Sequence, residues 1–223
     1  MQAEYFPAQG SQLERYAQVF GAVEINSSFY RPHRPETYAR WAASVPENFR
    51  FSVKLPKLIT HELKLAGIDA ALARFAAEVG ALEKRLGCVL IQLPPSASFD
   101  RASAEGAMAR LRERFDCMMA CEARHPSWFE DDATALLQAH GITRVIADPP
   151  KGQPGAHVRT TSDIYTRLHG IPRVYYSSYS DEYLAALADD LRGHAQANRS
   201  VWLIFDNTAS GAAMANALQL RLC

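Results

Sequence analysis

Seven short apolar runs, each ending at a charged or amide residue, constrain this chain more than any other feature. They are Val23-Glu24-Ile25-Asn26, Phe51-Ser52-Val53-Lys54, Val89-Leu90-Ile91-Gln92, Met118-Met119-Ala120-Cys121-Glu122, Val145-Ile146-Ala147-Asp148, Ile164-Tyr165-Thr166-Arg167-Leu168-His169 and Leu203-Ile204-Phe205-Asp206-Asn207. Buried parallel strands read as near-continuous apolar runs. Helical patterns separate most of these runs, so the chain reads as repeated βα units. We expect strands at 23–29, 50–55, 88–93, 117–122, 144–148, 164–169 and 201–206. A TIM-type (β/α) barrel gathers the C-terminal ends of its strands on one face, and that face holds the active site.

Local signals place the helices. Ser11-Gln12-Leu13-Glu14 is a capping box opening a helix to about Phe20. Pro35 suits a first helical turn that continues to Ser44. Leu72, Phe75, Ala76, Val79, Leu82 and Leu86 recur at helical spacing, predicting a helix over 69–85. Further helices are expected at 101–114, at 131–140 with Asp131 and Asp132 as caps, from Ser180 to about Asn198, and at 210–220. The turn-rich stretch Lys151–Gly155 predicts a connection without a full helix and a candidate lid. No linker or repeat divides the chain, so residues 1–223 read as one (β/α) barrel domain.

Strand side chains alternate faces. Glu122 and Arg124 therefore share a face with Met118 and Ala120, and Tyr165, Arg167 and His169 share another. Leu90 pairs with Gln92 in this sense, and Trp202 and Ile204 with Asp206. The opposite faces carry Ile25, Val53, Leu55, Ile91, Leu93, Leu168, Leu203 and Phe205, which suits packing under helices. The polar set then points inward near the strand ends, with Glu24, Glu122, Asp148 and Asp206 set against Lys54, Arg124 and Arg167. Such charges are costly unless paired, bonded or coordinated.

Composition removes some function classes. The 24 basic and 24 acidic residues balance, so net charge gives no indication of nucleic acid as a partner. No stretch has transmembrane length, and the opening Met-Gln-Ala-Glu-Tyr-Phe-Pro lacks a signal-peptide pattern, which predicts a cytoplasmic protein without a membrane partner. Cys88, Cys117, Cys121 and Cys223 lack zinc-type spacing and read as reduced core or strand-edge residues.

Motifs along nearly the whole chain carry a family resemblance. They are Tyr5-Phe6-Pro7, the segment from Glu24-Ile25-Asn26 to Tyr30, Phe51-x-Val53-Lys54-x-Pro56, Thr60-His61 and Gln92-Leu93-Pro94-Pro95. Further along come Glu122-x-Arg124-His125-Pro126-Ser127-Trp128, Asp148, Tyr165-x-Arg167-Leu168-His169-Gly170 and Phe205-Asp206-Asn207-Thr208. In these the chain resembles the bacterial family known as domain of unknown function 72, also called YecE-like. The resemblance implies a TIM-type barrel and supplies no activity. Members of that family usually open with a strand bearing Gly-x-x-Gly-Trp, just before Tyr-Phe-Pro. This chain starts at the latter segment, which predicts seven strands, a missing first strand, and edges at 23–29 and 201–206 facing a gap.

The residues point to an enzyme acting by acid/base chemistry on a small anionic, phosphorylated or sugar-like molecule, as a hydrolase, lyase or isomerase. Glu122, Asp148, His169 and Asp206 are the candidate proton-transfer groups. Glu24, Asn26, Tyr30, Lys54, Gln92, Arg124, Arg167 and Asn207 are the candidate binding residues. The loops Asn207–Gly211 and Tyr175–Ser180 lead into helices and could receive an anion, although Ser180 and Ser210 read equally as helix caps. No particular cofactor is indicated. Glu24, Glu122, Asp148, Asp206, His125 and His169 could ligate a divalent metal, but they form no short ligand motif and compete with cations, so a metal-free site is favoured. The alternatives are a metal-dependent phosphodiesterase resembling barrel nucleases and a non-catalytic ligand-binding protein.

Overall fold

The computed structural model describes residues 5–197 and 199–222. The expectations resting on Met1–Glu4, Asn198 and Cys223 lie outside the described residues.

Two parallel sheets carry the fold. β1 (Ala22–Ile25), β2 (Arg50–Lys54), β3 (Leu86–Gln92), β4 (Met118–Glu122) and β5 (Thr143–Arg144) form the first in that order. β6 (Ile146–Asp148), β7 (Ile164–Leu168) and β8 (Val201–Phe205) form the second. All seven apolar runs are strands. The fifth is divided at Val145: Thr143 and Arg144 pair with β4, and Ile146–Asp148 pair with β7, giving eight short strands from seven runs. The helices are α1 (Gln12–Ala17), α2 (Ser27–Tyr30), α3 (Pro35–Ala43), α4 (Asp69–Val79), α5 (Arg101–Arg114), α6 (Asp131–Ala139), α7 (Asp181–Gln196) and α8 (Ala212–Leu222).

Local chemistry explains the boundaries. The Ser11–Glu14 capping box forms with both of its hydrogen bonds. Pro35 occupies the first turn of α3. Ser180 caps α7 by accepting from the Tyr183 N–H. Three expectations are corrected. The first strand stops at Ile25, because Ser28 Oγ donates to the carbonyls of Ile25 and Lys54 and the chain turns into α2. The helix expected to run to 85 tightens at Gly80 into a 3-10 turn, with Glu83 at φ 51°. Glu130 is the cap residue of α6, and Asp131 and Asp132 instead lie in its first turn, where their charge suits the helix dipole.

The alternation sorts the core into two parts. Outward residues of the larger sheet, among them Val53, Ile91 and Leu93, pack with Leu72, Phe75, Met108 and Leu111 of the helices. Inward residues from both sheets meet one another: Cys88, Leu90, Ala120, Val145, Tyr165 and Trp202 form one buried cluster. Each large side chain so buried contributes roughly 1.5–3 kcal/mol. The two sheets therefore share an interior, and the strand ends above it converge. Between β1 and β8 lies a cavity of about 710 Å³ lined by Glu24, Trp202, Ile204 and Asp206, and among the described residues no ladder joins these two strands.

Cys88, Cys117 and Cys121 are free thiols. Burial raises the thiol of Cys117 to about 11 and that of Cys121 to about 12, so neither is a thiolate nucleophile. No helix among the described residues is long and apolar enough to cross a membrane.

Candidate functional site

The site is organised by one cation. Arg167, on β7, is 1% exposed, so its charge survives only by partnership. It reaches three carboxylates from three other strands or strand ends. Nη2 donates to Glu24 Oε1 at 2.7 Å and Nε to Glu24 Oε2 at 3.1 Å, a bidentate pair. Nη1 donates to Glu122 Oε2 at 2.5 Å, and Nη2 also reaches Asp206 Oδ2 at 3.0 Å. Register explains the convergence. Gln92 lies beside Glu122, and Ala147 and Ile204 beside Arg167, so the inward faces of neighbouring strands end together.

A second layer fixes these groups. Glu24 also accepts from Asn26 Nδ2 at 2.9 Å and from the Tyr165 hydroxyl at 2.8 Å. Arg124 pairs with the Glu122 Oε1 at 2.6 Å and remains 14% exposed at its side chain. His169 follows β7, and its Nδ1 meets Asp206 Oδ2 at 3.1 Å. Its Nε2 is buried, makes no aligned hydrogen bond and lies 3.4 Å from Glu122 Oε1. Tyr175, held at φ 71°, stands edge-on to the His169 ring with centroids 5.8 Å apart.

The electrostatics follow from this packing. Burial would push the Glu122 carboxyl up, but His169, Arg167 and Arg124 outweigh it and hold it well below the ordinary range. Asp206 is lowered in the same way, by His169 and Arg167 against burial. Burial disfavours the charged form of His169, yet its contacts with Asp206 and Glu122 raise it above the ordinary histidine value. Lys54 is lowered to about 8, first by burial and then by Arg167, with Glu122 and Glu24 opposing.

Several expected site residues gather here: Glu24, Asn26, Glu122, Arg124, Arg167, His169 and Asp206. Lys54 feels the charges of Arg167, Glu122, Glu24 and Arg124, and Gln92 lies in register with Glu122. Others do not join them. Asp148 sits in register with the outward Leu168, and its carboxylate accepts from the Tyr183 hydroxyl on α7. The alternation running through Val145 and Ala147 turns Asp148 away from the interior, so its expected inward position is corrected. Asn207 is fully buried, but its amide donates to Ser177 O and Asn216 Oδ1, tying the loop after β7 to α8. Tyr30 is 79% exposed and packs edge-on against Phe29. Ser180 and Ser210 serve the fold, Ser180 as a cap and Ser210 by donating to Tyr176 O. His125 caps a 3-10 turn at Pro126–Phe129, and Trp128 is core. Among the described residues no three His, Cys, Asp or Glu side chains are disposed to hold a metal ion.

Two contributors were not anticipated. Ser52 meets the Tyr165 hydroxyl at 2.6 Å and so supports Glu24 indirectly, a role that its inward parity beside Lys54 signals. Phe29 places its ring 4.1 Å from Lys54 Nζ, and no sequence signal points to it because α2 interrupts the expected strand.

The loop after β6 is docked on the site through Gly152, at φ 72°. A Cβ there would lie 2.3 Å from the Arg124 carbonyl oxygen. Gly152→Ala should therefore cost about 1–3 kcal/mol through overpacking and an unfavourable backbone. Urea denaturation checks this, and an unchanged midpoint would mean that the loop yields freely.

Comparison with known proteins places this geometry among relatives. Residues 2–222 match the family model described as "Protein of unknown function DUF72". The UPF0759 protein YecE of Escherichia coli (strain K12) is 32% identical over 146 residues, 62% of this chain. That alignment spans about half (52%) of the relative's length. The UPF0759 protein YunF of Bacillus subtilis (strain 168) is 26% identical over 97% of this chain and 88% of its own. A crystal structure of a DUF72 family protein from Thermotoga maritima MSB8 superposes with a TM-score of 0.79 at 28% identity, covering 97% of this chain and 91% of that one. One from Enterococcus faecalis V583 gives 0.80 at 24% identity, covering 95% and 87%, and supports the fold alone.

Proposed function

Since the chain belongs to the DUF72 family, we propose, from its own residues, an enzyme that moves protons on a small anionic substrate, phosphorylated or sugar-like. In this reading the two sheets are arcs of a (β/α) barrel, and the strand ends around Arg167 form its mouth.

The observation that carries the reading is His169. Asp206 holds its Nδ1, which leaves Nε2 as the atom that exchanges a proton. Nε2 is buried beside Glu122 with no aligned bond of its own. A histidine raised by two carboxylates keeps its proton to higher pH than an ordinary histidine and suits an acid, while Glu122 and Asp206 are lowered and favour the ionised form beside it. Arg124 and Lys54 supply positive charge toward an anion, whereas Arg167 is fully committed to carboxylates. Metal-dependent phosphodiester cleavage is less well supported, because Arg167 and Arg124 occupy carboxylate oxygens that a cation would need.

The test is a thermal-shift screen of phosphorylated and carboxylated sugars against the protein and its Arg124→Met variant. A true ligand at a hundredfold excess over Kd adds about 2.7 kcal/mol of stability. At least one anion should raise Tm, and the variant should lose most of that rise. If neutral analogues raise Tm equally, or no anion does, the reading fails.

A further inference from the structure

Lys54 stands apart from the other cations of the site. It ends β2 on the inward face and is half-buried, and its Nζ lies 4.1 Å from the Phe29 ring centroid. Arg167 and Arg124 each grip a carboxylate, whereas among the described residues Lys54 forms no ion pair. The Glu24 and Glu122 oxygens are already taken by Arg167, Arg124, Asn26 and Tyr165. The chain's other lysines, Lys57, Lys64, Lys84 and Lys151, are all exposed. The amine has no ion-pair partner, and burial disfavours its ammonium form first, with Arg167 adding to this against Glu122, Glu24 and the face of the Phe29 ring, which suits it to act as a nucleophile.

We propose that Lys54 attacks a small anionic aldehyde or ketone and holds it as a Schiff base. This rests on the anionic-substrate reading above and names the reacting group of that substrate. The free amine adds to the carbonyl carbon, forming a C–N bond as the C=O π pair moves to oxygen. Nitrogen loses a proton, and the oxygen gains one. Protonation of that hydroxyl then breaks the C–O bond, water leaves, and the nitrogen lone pair completes C=N. The sum is amine plus carbonyl plus one proton from the site's acid giving iminium plus water, with no change of oxidation state. His169, on the same inward side, is the acid of the site, and Arg124 is the cation offered to the substrate's anionic group. The resulting iminium draws electrons from the neighbouring carbon, so proton removal or C–C cleavage there becomes accessible to the site's carboxylates.

The test uses the intact chain with glyoxylate as an anionic probe and propanal as a neutral one, each with cyanoborohydride at pH 7, followed by peptide mass mapping. With its amine lowered to about 8, Lys54 carries roughly 10% free base at pH 7, against roughly 0.04% at the ordinary value. Glyoxylate should therefore alkylate Lys54 at least about 10-fold faster than any exposed lysine, and faster than propanal does. Lys54→Arg keeps the charge, cannot form an imine and should lose the label while keeping its Tm. Label spread over the lysines by exposure, or an unlabelled Lys54, overturns the Schiff base. If anions nonetheless raise Tm, the anion reading survives that failure. Conversely, equal labelling of Lys54 by both probes with no anion raising Tm upholds the imine and removes the anion.

Discussion

Arg167→Met is expected to cost about 3–5 kcal/mol of folding stability at pH 7, because it leaves buried charges without their counter-ion. Methionine reproduces most of the arginine stem, so the loss reports the guanidinium rather than a cavity. Without it, Glu24, Glu122 and Asp206 converge on one another in a poorly solvated space. In the native chain the Glu122 and Asp206 carboxyls lie below their ordinary values. Their contribution is therefore fully present above the ordinary carboxylate range near pH 4 and is lost as pH falls through the lowered folded values. In the variant the sign reverses. With only Arg124 and His169 left to offset three crowded carboxylates, these hold protons more readily, so acidification relieves the variant while it weakens the native chain. Urea midpoints measured at pH 7 and pH 4.5 should show the gap narrowing on the acid side. A loss below about 1 kcal/mol, with no pH dependence, would mean that the network is solvated and weak.

The proposed acid–base function predicts that Glu122→Gln lowers turnover by about 10²–10⁴-fold while the fold survives. The amide oxygen can replace only one of the two carboxylate oxygens, keeping the bond from Arg167 or the one from Arg124, while the side-chain shape is retained and the charge is lost. The reporter of that charge is His169. Its native value is raised, so its protonation stabilises the fold fully below the ordinary pKa near 6.5, and that stability fades as pH rises through the folded value. Removing the Glu122 charge lowers the folded value, so both the alkaline loss of stability and the alkaline limb of the rate profile move to lower pH. NMR titration of the His169 ring checks the shift without any substrate. A ring titration unchanged by the substitution would contradict the coupling on which the proposed chemistry rests.

Period-two alternation made most of the site legible in the sequence. Tyr165, Arg167 and His169 were placed on one face, and all three participate. Glu24, Glu122 and Asp206 follow from the same rule. Asp148 shows its limit. It closes an apolar run as the inward polar residues do, yet counting from Val145 turns it outward to Tyr183. Asn207 sits one residue past an inward Asp206, and its amide is drawn to loop carbonyls that no local pattern announces. Arg144 carries no sequence signal of its role. It is buried on the outward face, where it donates to the carbonyls of Trp128 and Val158, partners set by tertiary packing alone. The turn into α2 depends on Ser28 bonding a carbonyl 26 residues away, which lies beyond any windowed reading.

The reach of Arg167 also has a consequence for biosynthesis. Its three carboxylates lie 143, 45 and 39 positions away in the chain, two before it and one after. A nascent chain that has released only its first five strands exposes Glu24 and Glu122 to water with no guanidinium to receive them. Only when the ribosome has delivered β7 and then Asp206 can the charges be withdrawn from solvent together. Contacts of such span make for slow, late closure. β1 is thus tied to β7 and to the residue that follows β8, so the native interior closes only after all eight of these strands have emerged.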